Sequence, residues 1–131
     1  MKFRYKKYGP QVLRPVIPIE VIYADIAVPY EVLVDSGADS NIFDAQIVQI
    51  LGLDLFSGKL AEVAGITGVE EPIYIHNMDL SVGGHLLKNV EVGFLRSMGR
   101  LGYGVVGQKG FFDIFVVKFD LKKEIVELKP R

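Results

Sequence analysis

Glycine and short turn signals cut this chain into brief runs of β-branched and aromatic residues. That punctuation limits the possible folds more than any single motif does. Such runs favour pleated backbone and are too short to make long helices. Strands are expected over residues 16–23, 25–28 and 31–34, with Pro29-Tyr30 turning the chain between the last two. A brief extended piece at 41–43 leads to Asp44, a good N-cap. Apolar residues at helical spacing then predict a helix over 45–51, stopped by Gly52. Segments 59–64 and 69–76 read as a hairpin whose tip is Gly65-Ile66-Thr67-Gly68. Segments 78–82 and 86–94 pair around Gly83-Gly84, and 115–121 with 124–128 around Lys122-Lys123. Val105-Val106 is a further short strand, and 109–112 is expected to open a helical turn. No linker or low-complexity tract interrupts the series. One mostly-β domain over 1–131 is expected, with its core at about 16–130.

At 131 residues the chain can bury one sizeable core but not two. Lys plus Arg is 15 and Asp plus Glu is 16, a balance with no electrostatic footprint for nucleic acid or an anionic membrane surface. There is no cysteine, which removes disulfides, thiolate catalysis and thiolate metal sites. MKFRYKKYGP is basic but has no apolar stretch behind it, so it does not read as a secretory signal. A cytoplasmic location is the simplest expectation. No apolar run is long enough to span a bilayer.

Two apparent motifs carry little. GYGVVG at 102–107 fits a dinucleotide fingerprint in letters only, because a β-hairpin rather than a long helix follows it. His76 and His85 are the only histidines and lack metal-ligand spacing, so neither metal nor cofactor is expected. The informative stretch is VLVDSGADSNIF at 32–43. Here an apolar run drives straight into Asp35, although carboxylates are seldom taken into a core without a use. Asp, Ser and Gly are also turn formers, so Asp35-Ser36-Gly37 alone would mean no more than a turn. Gly37 and Ala38, however, leave room beside the carboxylate. A second apolar run ends in Gly107, and a glycine-tipped hairpin lies between the two.

Taken together, VLVDSGADSNIF, AGITG and GVVGQKGFFDIFVVKFD resemble the retropepsin-like aspartic proteases, the single-lobed group that includes retroviral proteases. The resemblance spans about residues 16–130. It implies a single-lobe acid-protease barrel with one or two short helices, and aspartic endopeptidase activity. Asp35 would be the catalytic residue, on an active-site loop with Ser36, Gly37 and Ala38. Ser36 would supply a hydroxyl that locks two such loops together. Gly65, Ile66, Thr67 and Gly68 would form a flap over the substrate. Asp39, Ile42, Val105 and Val106 would complete the substrate-binding set, with Val105-Val106-Gly107 bracing the active-site loop. Two departures stand out. Gln108 occupies the place of an Arg found in retroviral members, which unsettles any contact to Asp39. The helix at 45–51 is also better developed than in the compact viral enzymes, which is more like the cellular and bacterial branch.

Peptide hydrolysis needs a water made nucleophilic and a leaving nitrogen protonated, and two carboxyls sharing one proton can do both. This chain carries a single D-S-G. If it is such an enzyme, the second aspartate comes from another copy, across the two-fold of a C2 homodimer. A polypeptide would then lie extended between the chains. The alternative is a retropepsin-like dimer that binds peptides or mediates assembly without hydrolysis.

Overall fold

The computed structural model describes residues 1–131. Three strands the sequence reading did not expect come first: β1 (Lys2–Arg4), β2 (Lys6–Gly9) and β3 (Val12–Arg14). They are rich in Lys and Arg and largely exposed, so no buried alternation marked them. Next come β4 (Val16–Tyr23) and β5 (Ile26–Val34). In β4, Ile17, Ile19 and Val21 point inward while Pro18 and Glu20 face out, the period of two that a half-buried strand requires. The expected break at Pro29-Tyr30 is absent, and β5 runs straight through it. Its far edge is unpaired there, because the only strand on that side covers Val32–Val34, so a missing N–H breaks no ladder.

After β6 (Asn41–Asp44), helix α1 spans Gln46–Ile50, a little shorter than expected. Asp44 Oδ1 accepts from the Gln46 N–H at 3.0 Å, and Gly52 follows with φ of +75°, as its C′ role demands. The hairpin strands are β7 (Lys59–Ala64) and β8 (Glu70–Val82). The latter is one continuous strand where two were expected. Gly83 and Gly84, both at positive φ, turn it into β9 (His85–Leu95). β10 (Gly104–Val106), β11 (Phe115–Asp120) and β12 (Ile125–Pro130) complete the chain. Two 3₁₀ turns, Leu55–Ser57 and Met98–Leu101, were not foreseen. Conversely, the helical turn expected at 109–112 does not form, because Gly110 sits at φ +95°, outside right-handed helical space.

Strands β4, β5, β10, β6, β9 and β8 are hydrogen-bonded in that order, and β4 pairs again with β8. The sheet therefore closes into a six-stranded barrel with β7 added at its edge. Two pairings are parallel, β5 with β10 and β6 with β9; the rest are antiparallel. β1, β12 and β11 make a separate sheet, and β2–β3 a hairpin. Arg14 fixes that hairpin to the barrel: its guanidinium lies 4.9 Å from the Tyr8 ring centroid and donates to Tyr103 Oη at 3.1 Å. The core is filled by Phe43, Phe94, Phe111 and Phe115, all fully buried, with Val or Leu from β4, β5, β8, β9 and β10. No helix is long and apolar enough to cross a membrane.

Tyr30 edges against Phe43 at 5.2 Å, and its hydroxyl oxygen accepts the Asp44 N–H at 3.1 Å. Burial pushes its pKa from 10.0 to about 12, against the opposing pull of that N–H. The folded-state pKa thus lies above the unfolded one. The neutral phenol's contribution is complete below pH 10.0 and is lost as the pH rises through about 12. Between those values, wild type is expected to lose up to about 2 kcal/mol more unfolding free energy than Tyr30→Phe. Urea melts across that range check it, and parallel pH slopes would refute it. Phe94→Ala, by contrast, should cost about 3–5 kcal/mol at neutral pH in the same assay.

Candidate active site

Asp35 is the first residue beyond β5, and its position follows from parallel pairing. Val105 lies beside Leu33 and Val106 beside Val34, so β5 and β10 end at the same level. The Asp35 N–H donates to Val106 O at 3.0 Å, carrying the ladder one step into the loop. Within the loop, the Gly37 N–H donates to Asp35 Oδ1 at 2.8 Å and the Ala38 N–H to Asp35 O at 3.1 Å. This is the turn that D-S-G forms anywhere. What distinguishes it is the second loop packed alongside.

That second loop begins at Gly107. A Cβ there would lie 2.5 Å from Ala38 O and 2.8 Å from Ser40 O, so no side chain fits without moving backbone. The Gln108 N–H donates to Ala38 O at 2.9 Å and the Lys109 N–H to Asp39 O at 3.0 Å. Gln108, the residue standing in place of the viral Arg, donates from Nε2 to Ser36 O at 3.0 Å. It ties the two loops through backbone, with no contact to the Asp39 carboxylate required. Beneath them sits Asn41, the one polar side chain among the buried residues. Its Oδ1 accepts the Gly107 N–H at 3.0 Å and its Nδ2 donates to Gly110 O at 3.3 Å. Sequence reading missed Asn41. An Asn heading the apolar run Asn41-Ile42-Phe43 was a usable signal, but its partners lie 66 and 69 residues away.

An open cleft of about 830 Å³ runs past Asp35. Of the residues singled out from sequence, Asp35, Gly37, Ala38, Asp39, Ile42, Gly65, Ile66 and Val105 line it. Ser36, Thr67 and Gly68 do not, and all three are exposed. Val106, expected as a wall, is fully buried: alternation along β10 turns Val105 to the cleft and Val106 to the core. Its role is as a backbone brace. The reading also missed Glu62, Val63, Glu71 and Ile73, on the hairpin it foresaw, and Met98 and Leu101, on a 3₁₀ turn it did not, all of which line the cleft. The β7–β8 hairpin overhangs the cleft, with Ile66 wholly exposed at its tip. On that hairpin, hydrogen bonding to Glu70 and repulsion from its charge hold the Glu62 carboxyl above the usual range. No three His, Asp or Glu side chains converge as a metal ion would require.

The model of a family described as aspartyl protease matches residues 19–109, well over half the chain. The chain belongs to the aspartyl protease family. Two solved structures show which fold this aspartyl protease has. A retropepsin-like aspartic protease from Rickettsia conorii is 17% identical, with a TM-score of 0.67, over 98% of this chain and 89% of that one. EIAV protease, in complex with the inhibitor HBY-793, is 16% identical, with a TM-score of 0.51, over 78% of this chain and 88% of that one. The mostly-β, single-lobe retropepsin-like fold expected from sequence is therefore present. A search of curated protein sequences gives no match.

Asn41→Leu in this aspartyl protease would leave the Gly107 N–H and the Gly110 carbonyl without their partner. Each unpaired buried group costs about 1–3 kcal/mol. A loss of roughly 2–4 kcal/mol in urea unfolding is expected. A cost below about 0.5 kcal/mol would mean that the loops hold together without Asn41.

Proposed function

We propose that this chain is an aspartic endopeptidase that works as a C2 homodimer, hydrolysing peptide bonds with water activated between two Asp35 carboxyls, one from each chain. The observation that carries the reading is Asp35 on a braced loop at the floor of an open cleft, in a chain of this family with a single D-S-G. Like charges held close cannot both ionise, so the pair keeps one proton between them. The ionised carboxyl takes a proton from water as that water attacks the scissile carbonyl carbon. The protonated carboxyl donates to the carbonyl oxygen. Proton return to the nitrogen then accompanies breakage of the C–N bond.

Rigidity in the two loops is what this chemistry asks of the chain. A carboxyl displaced by an ångström loses much of its effect, and the Asn41, Gln108 and Val106 bonds oppose such displacement. In this reading the Ser36 hydroxyl and the β7–β8 hairpin have roles only when two chains meet and substrate is present. The exposed Ser36 would contact the partner's loop, and the hairpin tip at 65–68 would close as a flap and exclude water. An extended polypeptide would pair with strand edges while its alternate side chains enter pockets.

The test is hydrolysis of an unfolded protein by wild type and by Asp35→Asn, from acidic to neutral pH, with oligomeric state followed by sedimentation. Wild type should cleave only where dimer is populated. Asp35→Asn should lose at least about a thousandfold in rate while still sedimenting as wild type does. Equal activity in the two proteins would refute the proposal.

A further inference from the structure

We propose that the cleft selects polypeptide segments carrying arginine or lysine, with Glu71 as the specificity-determining residue. This rests on the cleft being the substrate site. Charge around the cleft is one-sided. Asp39, Glu62 and Glu71 line it together with Asp35, whereas none of the 15 Lys and Arg residues does. The chain as a whole carries a net charge of only −1, so the excess is local. Several cations are engaged elsewhere: Lys2 with Glu127, Lys6 with Glu31, Lys88 with Asp79 and Lys109 with Glu91.

Placement adds to charge. Across the β7–β8 ladder, Val63 faces Glu71 and Ala61 faces Ile73, so these four share one side of the hairpin. Ile73 is buried with Ile42 and Met98, and Val63 and Val105 pack onto them. The Glu71 carboxylate thus stands at the edge of an apolar wall. Ser97 Oγ donates to its Oε1 at 3.0 Å, which orients the carboxylate without neutralising it. An arginine or lysine side chain matches both parts, its aliphatic stem lying on the wall and its cationic head reaching the carboxylate. Glu62, paired across the ladder with Pro72, lies on the opposite side of the hairpin and adds only to the net charge of the rim. A glutamate in the substrate would instead meet carboxylates alone. A two-fold copy brings the same lining again.

An exposed ion pair is worth roughly 1.5- to 5-fold in binding. That pair, set against repulsion of a like charge, gives about tenfold discrimination between Arg and Glu. The test uses peptides with an apolar centre in which a single Arg, Ala or Glu is scanned along the sequence. Binding to full-length Asp35→Asn is followed by fluorescence anisotropy at neutral pH, and cleavage of the same peptides by wild type is measured in parallel. At the best position Arg should bind about tenfold tighter than Glu, and the ratio should shrink in high salt. Adding Glu71→Lys should reverse the order, a gain of affinity for the Glu peptide that an unfolded chain cannot produce. Arg and Glu peptides binding equally at every position, or an unchanged order in Glu71→Lys, would overturn the proposal. An Arg preference in binding with no cleavage by wild type would sink the hydrolytic reading and keep the specificity. Cleavage without charge preference would do the reverse.

Discussion

The parallel pairing of β10 with β5 is the contact on which the rest of the site depends. It sets two chain segments side by side at a common level, so that the turns following them must pack against each other. Gly107 is required there because backbone oxygens of Ala38 and Ser40 occupy the space a side chain would need. Asn41 is required because that close approach buries an N–H with no strand partner. Asp35 itself contributes little to this assembly beyond a local turn. Its place is set by its neighbours.

The barrel around it serves the same end by excluding alternatives. A one-residue slip of β5 against β4 would turn Val28, Val32 and Val34 outward and Leu33 inward. That slip is opposed on both sides, by eight paired positions with β4 and three with β10. The fully buried aromatic residues Phe43 and Phe94 meet edge to face at 6.3 Å across the parallel β6–β9 pair, so the strand leading away from the Asp35 loop is held as firmly as the one leading in.

Much of this was legible in the residues. Apolar runs broken by glycine read correctly as strands and hairpins, and Asp35 with Gly37, Ala38, Ile42 and Val105 does line one cleft. The misreadings share a cause. Pro29-Tyr30 looked like a turn because local preference ignores which edge of a strand is paired. The 109–112 turn looked helical because its letters do not reveal the backbone conformation of Gly110. Lys2–Arg4, basic and outside the expected core, carried no strand signal, yet it pairs with β12. Val106 looked like a wall because a two-residue strand leaves its inward face undecided. Asn41, Glu71 and Ile73 gained their places from partners distant in sequence, which no window of neighbouring residues contains.

The separation of the two loops along the chain also bears on biosynthesis. Gln108 and Ser36 are 72 positions apart, so on the ribosome Asp35 emerges long before the strand that braces it. Closing a loop of that length adds only modestly to the entropic cost, but it delays the contact until nearly the whole barrel has been made. A nascent or truncated chain ending before β10 would hold the carboxylate on an unsupported turn. The geometry of the site is thus a property of the finished chain, and incomplete polypeptides inside the cell lack it.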